Sequence, residues 1–129
     1  MAKNNQTVSG NIKQFCDFTD QAKLDYQWNY DEVNRLDKLT QDYLHSLELD
    51  NLNYKERAKV ATQLQKCRQE RRIAKDIVEN LAPLVDFLSS DKGNSYMKLM
   101  REVQGRTRKT EAKMKHRFYV PRVLEKEDQ

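Results

Sequence analysis

The residues that could carry catalysis or bind a metal are few in this sequence: two histidines and two cysteines. Nucleophilic catalysis needs a nucleophile beside a base, and a zinc site needs several ligands at close spacing. His45 and His116 are 71 positions apart, and neither has a cysteine or a carboxylate cluster at ligand spacing. Cys67 falls on an apolar heptad pattern, where a small buried thiol is commoner than a reactive one. The sequence therefore predicts a protein that is not an enzyme, with no catalytic residue, no metal site and no cofactor.

Cations at helical spacing are the more informative residues, and a first group lies in residues 66–76. Its candidate binding residues are Arg68, Arg71, Arg72 and Lys75. Three of them share one helical face and could bind phosphates or a partner's carboxylates, although a charged, solvated helix face is the common alternative. Arg71 falls instead on the apolar seam of the predicted helix. An ion pair with an acid of the first helix, Asp31 or Asp37, would explain an arginine at that position.

A second basic tract covers residues 101–122 and carries a net charge of +6. Its candidate binding residues for nucleic acid or a partner are Arg106, Arg108, Lys109, Lys113, Arg117, Phe118, Tyr119 and Arg122. Aromatic rings among arginines suit stacking on bases or anchoring in a protein groove. The alternative is that the two aromatic residues fold back to close the helical bundle. No helix-turn-helix of normal spacing is present.

Leu24 and Trp28 form an i, i+4 pair beside the apolar seam of the first predicted helix. Tryptophan is favoured at the centre of protein interfaces, so this pair could anchor a protein partner. Aromatic residues at helical spacing more often belong to a core. The sequence therefore favours packing of the third helix against this pair.

Composition limits the elements that can position these residues. The chain has 129 residues, of which 37% are hydrophobic and 34% charged, with three glycines and two prolines. So few turn-forming residues exclude sandwiches, barrels and doubly wound sheets, and they favour long helices in one domain. Charge is uneven: residues 1–50 have 5 basic and 9 acidic residues, whereas the remainder has 19 and 11. Such polarity fits an acidic helix lying along a basic one, or a surface for a polyanion.

Two helices with coiled-coil-like seams are predicted over residues 11–49 and 53–88. Steps of three and four join the apolar seam positions Phe15, Ala22, Tyr26, Val33, Leu36, Tyr43 and Leu47, with Thr19, Asn29 and Thr40 as polar members. The second seam runs through Val60, Leu64, Cys67, Ala74, Val78, Leu81, Val85 and Leu88, and its register continues past Pro83. A capping-box pattern at Asn29 leaves open a division of the first helix, but one long helix is favoured.

A third, weaker helix is predicted from about residue 95, after a loop at 89–94. Its predicted inner stripe is Tyr96, Met100, Val103, Thr107, Thr110 and Met114. The sequence thus predicts an all-α fold: a long antiparallel helical hairpin, a third helix and an extended C-terminal tail. The predicted divisions are a disordered segment at 1–10, a helical domain at 11–117 and a tail at 118–129, because Pro121 disfavours helix before it.

Several short segments together form a pattern: residues 43–49 (YLHSLEL) and 54–58 (YKERA), the spacing of arginines and Lys75 in 68–76, the segment 83–88, and Tyr119-x-Pro121-Arg122. Through these segments, residues 40–122 resemble small proteins encoded by phages and integrated elements of low-GC Gram-positive bacteria. The resemblance implies a mobile-element origin. Small phage proteins of this kind often bind a nucleic-acid machine of the phage or host, including as inhibitors of CRISPR nucleases.

Two functions from different classes remain open on the sequence. The first is a phage-type binding protein whose basic helical surface engages nucleic acid or a nucleoprotein complex. The alternative is a protein–protein inhibitor or assembly factor that uses the hairpin, with its basic charge paired internally. A homodimer is a further alternative, because long heptad hairpins often pair with a second copy. The first ten residues lack the apolar stretch of a secretory signal, so we expect a cytoplasmic protein, in the host cytoplasm if phage-encoded.

Overall fold

The structure is a computed structural model, and it describes residues 6–118 and 121–123. The chain forms three α-helices and no strand within these residues: α1 (Val8–Leu49), α2 (Tyr54–Ser89) and α3 (Asp91–Lys115). α1 and α2 pack as an antiparallel hairpin, and α3 packs against both. The predicted all-α hairpin with a third helix is confirmed. None of the described helices has the length and apolar character needed to cross a membrane.

α1 is one uninterrupted helix of 42 residues, about 63 Å long at 1.5 Å per residue. It begins at Val8, because the Thr7 side chain accepts a hydrogen bond from the amide of Gly10 at 3.1 Å and so caps the first turn. The predicted disorder up to residue 10 is therefore wrong for residues 8–10, while residues 1–5 lie outside the described part. Asn29 caps no helix, since its side chain donates to the Asp25 carbonyl at 2.8 Å.

The seam between α1 and α2 follows the predicted register over most of its length. Leu36, Cys67, Ala74, Val85 and Leu88 are buried, and so is Ala22. The other predicted apolar members are half-buried, because two helices cover only one side of each other: Tyr26, Val33, Tyr43, Leu47, Val60, Leu64, Val78 and Leu81. The prediction fails at Phe15, which is 47% exposed. Cys16 is buried instead of Phe15, because it packs between Leu88 near the end of α2 and Met97 of α3.

Polar residues of the seam are satisfied within their own helix. The Thr19 hydroxyl donates to the Cys16 carbonyl and the Thr40 hydroxyl to the Leu36 carbonyl, each at 2.8 Å. No buried side-chain nitrogen or oxygen in the described part of the chain lacks a hydrogen-bond partner. These groups therefore occupy the seam without the cost of an unpaired polar atom.

A short turn at residues 50–53 joins α1 to α2, as predicted. The Asn53 side chain accepts a hydrogen bond from the amide of Glu56 at 2.8 Å and caps α2. α2 then continues through Pro83 to Ser89. The predicted persistence of the helix past Pro83 is confirmed.

The corner between α2 and α3 is much tighter than the predicted loop at 89–94. Ser90 alone links the helices: its amide donates to the Phe87 carbonyl, and its hydroxyl accepts from the amide of Gly93 at 3.0 Å. Gly93 is buried against α2, so closely that a Cβ atom at this position would lie 1.8 Å from the Phe87 carbonyl oxygen. The absence of that Cβ lets the first turn of α3 pack against the end of α2, and α3 begins at Asp91 rather than near residue 95.

The inner stripe of α3 differs from the predicted one. Met97 packs with Cys16 and Leu88, and Ile12, Leu84 and Met100 border this cluster. The rest of the inward side consists of the half-buried Gln104, Thr107 and Glu111, whereas four predicted members are exposed: Tyr96, Val103, Thr110 and Met114. Most of the wrongly predicted inward positions are displaced by one residue along the helix. This displacement arises because α3 turns polar side chains, rather than its most apolar ones, toward α1.

Candidate functional site

Arg71 lies against Asp37 of α1, one of the two acids that the sequence suggested as its partner. Its Nε donates to Asp37 Oδ1, and its side chain is only 17% exposed. Arg68 Nη1 lies 3.8 Å from the same oxygen. Two cations therefore share one carboxylate at the helix interface, and this contact fixes the register of α1 against α2.

Arg72 and Lys75 differ from these two arginines. Arg72 is exposed and Lys75 half-buried, and neither forms an ion pair with any described residue. The predicted cluster at 66–76 is thus split between Arg68 and Arg71, which contact Asp37, and Arg72 and Lys75, which form no ion pair with a described residue. Of the second two, Arg72 is exposed and can meet a partner's anions.

Two polar contacts fix α3 against α1. Glu111 accepts hydrogen bonds from the Ser9 hydroxyl and from the Ser9 amide, the latter at 3.2 Å, in the first turn of α1. Arg101 Nη2 donates to Asp20 Oδ1 at 2.8 Å. The Ser9 hydroxyl above all, then the amides at the helix start and the charge of Lys115, hold the pKa of Glu111 below its ordinary value. The carboxylate thus complements the positive end of the α1 dipole.

The side of α3 turned away from the hairpin forms a continuous exposed strip, which we call the outer face. Steps of three and four join its residues Leu99, Val103, Arg106, Thr110 and Lys113, and all five are exposed. Its first half is apolar and its second half is basic. Lys109 lies beside the basic half, one turn from Arg106 and from Lys113.

Six cations surround the second half of α3 without an ion pair to any described residue: Arg106, Arg108, Lys109, Lys113, Lys115 and Arg117. The acids that could neutralise them are few. Glu111 is engaged by Ser9 and interacts with the charge of Lys115, and Glu102 is the other acid between residues 101 and 118. The basic half of the outer face therefore keeps its positive charge in the folded chain.

The start of the C-terminal tail carries further predicted binding residues. Phe118 is 83% exposed, so it does not fold back to close the bundle. Arg122 is also exposed, beyond Pro121. Tyr119 lies outside the described residues, as does most of the predicted tail at 118–129.

Leu24 and Trp28 do not receive α3, contrary to the expectation from the sequence. Each is 64% exposed, because α3 packs on the flank of α1 that carries Ile12 and Cys16. Trp28 instead lines a shallow groove of about 200 Å³ between α1 and α2, together with Glu32, Glu70 and Ile73. The pair therefore forms exposed apolar surface rather than core.

A stacked aromatic pair beside α3 was missed at the sequence level. Phe87, in the last turn of α2, and Tyr96, in the second turn of α3, have ring centroids 6.0 Å apart with 27° between the ring planes. Both side chains are about half exposed. The sequence signal that could have revealed the pair is a set of aromatic residues on both sides of a short corner.

Neither cysteine is placed for chemistry. Cys16 and Cys67 are free and buried, and the Cys67 thiol lies 3.4 Å from the Leu36 carbonyl, to which it donates. Among the residues that the structure describes, no group of three or more His, Cys, Asp or Glu is arranged to hold a metal ion.

No protein-family model matches this sequence, and no curated protein or solved structure matches it either. The resemblance of residues 40–122 to phage-encoded proteins remains a prediction from the sequence.

Proposed function

We propose that the chain is a non-enzymatic binding protein whose third helix contacts nucleic acid, either free or within a nucleoprotein complex. The observation that carries the proposal is the set of six cations around the second half of α3 that have no ion-pair partner among the described residues. Phosphate groups are the anions that such a dense, exposed array of lysine and arginine binds best.

The dimensions of the array suit a phosphate backbone. Arg106, Lys109 and Lys113 share one side of α3 and span about 10 Å along the helix axis, while each strand of a duplex carries one phosphate per roughly 3.4 Å of its axis. These three cations therefore face about three successive phosphates. Arg108 and Lys115 lie instead on the flank of α3 that carries Glu111, next to Ser9 of α1.

Arg72 and Lys75 flank Ile73 and Ala74, which face Asn29 of α1, about 30 Å along α1 from Ser9. This distance exceeds the screening length of about 8–10 Å, so these two cations are not part of the array on α3.

The resemblance to phage proteins favours a nucleoprotein machine of the phage or its host as the biological partner. Inhibition of a defence nuclease such as a CRISPR effector is one form that this binding takes in small phage proteins. In such a complex, the basic half of the outer face would contact the phosphates of a guide or target strand.

Charge reversal on α3 tests the proposal. We expect that Arg106→Glu, Lys109→Glu and Lys113→Glu together abolish binding to a mixture of DNA and RNA oligonucleotides at physiological salt. At low salt, the remaining binding should depend less on salt, with the log–log slope reduced by about 2 to 3, because each lost phosphate contact releases roughly one counterion fewer.

The matched control reverses three exposed cations at the opposite end of the hairpin, namely Lys55, Arg57 and Lys59. The net charge changes equally, so equal losses in both variants would show a non-specific charge effect. Unchanged binding by the α3 variant at both salt concentrations would refute the proposal.

The groove at Trp28 favours a second candidate function, binding of a protein. Trp28 and Ile73 are 64% and 63% exposed, and Glu32 and Glu70 line the same groove. A basic amphipathic segment, with an apolar side chain between cations, is the partner that fits this surface.

Nuclease-treated extracts separate the two candidates. A protein captured through the groove should be retained after nuclease treatment and in moderate salt, lost with Trp28→Lys, and kept with Tyr54→Lys at the far end of the hairpin. If capture depends on nucleic acid, or survives Trp28→Lys, the groove is not the binding surface.

A further inference from the structure

We infer that the nucleic acid bound by α3 is single-stranded, with a base stacked on the Phe87–Tyr96 pair and its phosphates along the basic half of the outer face. This inference rests on the proposed function. The cations alone imply that nucleic acid binds. The inference adds that the ligand is single-stranded and that the surface has a base-stacking site.

The outer face changes character along its length, and this change points to a ligand with two chemical parts. Tyr96 precedes Leu99 by one turn, so the ring pair continues the apolar half of the outer face toward the corner at Ser90. From Tyr96 to Lys113 the surface is about 25 Å long. A single strand presents both unpaired bases and phosphates to such a surface.

The aromatic pair is suited to stacking because its rings are already oriented. Phe87 and Tyr96 stack on each other at 6.0 Å and remain 43% and 53% exposed. The two rings come from different helices, and the one-residue corner at Ser90 holds these helices together. A base that joins this stack therefore costs little additional ordering of the side chains.

Charge near the rings is close to balanced, in contrast to the second half of α3. Lys92 lies one turn before Tyr96, and Asp86 and Asp91 lie near the same corner in sequence. Attraction at this end must therefore come mainly from stacking and apolar contact. A regular duplex keeps its bases stacked on one another, so it could use only the basic half of the surface.

The test compares single strands and duplexes of equal length and composition as ligands of the full chain. We expect tighter binding of the single strand by about tenfold. Tyr96→Leu, which keeps apolar bulk but removes the ring, should weaken single-strand binding roughly fivefold or more and leave duplex binding unchanged. The salt slope should not change, because stacking releases no counterions.

Tyr54→Leu is the matched control, since Tyr54 is 85% exposed at the other end of the hairpin. It should bind both ligands like the unmodified chain. Phe87→Leu should act as Tyr96→Leu does, and circular dichroism of each variant should report the same helix content.

The outcomes distinguish failure of the stacking site from failure of the proposed function. Equal affinity for single strand and duplex, with Tyr96→Leu neutral and the α3 charge reversal still damaging, overturns the stacking site and leaves the proposed function standing. If neither nucleic acid binds, both fall. Binding of vesicles containing phosphatidylserine in place of nucleic acid would likewise overturn both and assign the outer face to an anionic lipid surface.

Discussion

Alanine at Gly93 and alanine at Gly105 should change stability in opposite directions, although both glycines lie in α3. Helix propensity alone predicts that each substitution stabilises the helix by about 0.5–1 kcal/mol. The surroundings of the two positions differ. A Cβ at Gly105 meets no atom within 4 Å, whereas a Cβ at Gly93 would lie 1.8 Å from the Phe87 carbonyl oxygen and 2.7 Å from the carbonyl carbon.

The clash at Gly93 involves backbone, so rotation of a side chain cannot relieve it. The corner between α2 and α3 would have to open by more than 1 Å, and the nearby cluster of Cys16, Leu88 and Met97 would loosen. Overpacking of this kind costs typically 1–3 kcal/mol, which exceeds the gain in propensity. We therefore expect Gly93→Ala to lower the free energy of unfolding by about 1–2 kcal/mol, and Gly105→Ala to raise it by about 0.5–1 kcal/mol.

Urea unfolding followed by circular dichroism at 222 nm measures both changes. The corresponding shifts in Tm are about 4–8 °C downward for Gly93→Ala and about 2–4 °C upward for Gly105→Ala. A Gly93→Ala variant as stable as Gly105→Ala would show that α3 does not approach α2 this closely, and the reasoning about the corner would be refuted.

Two other contacts give predictions of defined sign. Arg71→Ala should lower the free energy of unfolding by about 1–2 kcal/mol. The loss is smaller than for a fully buried pair, because Asp37 is 45% exposed. Arg71→Leu should be nearly neutral, and chemical denaturation of both variants measures the two changes. Glu111 has a lowered pKa, so its contribution to stability is complete above its ordinary value near 4.5 and disappears as pH falls through the folded-state pKa. Unfolding measured from pH 6 to pH 3 should therefore show a component that Glu111→Gln removes, and an unchanged pH profile in that variant would contradict the Ser9 contact.

The hairpin was predictable because its seam is strongly periodic. Apolar residues recur every seventh position from Val60 to Leu88, and packing against a second helix buries all of them along one seam. The partner of Arg71 followed from the same register, since it restricted the choice to two acids of α1. The heptad spacing and the register that it sets were therefore enough to predict this part of the fold.

The phase of α3 was not predictable in this way. The inward side of α3 includes Gln104 and Glu111, and the contact that holds Glu111 joins it to Ser9, 102 positions earlier in the chain. Because the prediction ranked residues by apolar character, it placed Tyr96 and Val103 in the core instead. As a result, the cations of the outer face were predicted as a candidate surface, while Val103 and Thr110 of the same face were assigned to the inner stripe.

The residues at 89–94 show a related limit. Serine and glycine in this segment were interpreted as loop residues, but Ser90 caps α3 and Gly93 permits close contact with α2. The same residue types serve a loop, a cap or a tight crossing of backbones. Only the position of the neighbouring helix distinguishes these uses.

The one-residue link at Ser90 makes this corner intolerant of insertions and deletions. One added residue continued as helix would rotate α3 by about 100° around its axis and advance it by about 1.5 Å. Arg106 and Lys113 would then turn out of the outward direction, and Glu111 would lose Ser9. The turn at residues 50–53, at the far end of the hairpin, carries no such constraint. Length variation among related sequences should therefore accumulate at that turn and be absent between α2 and α3.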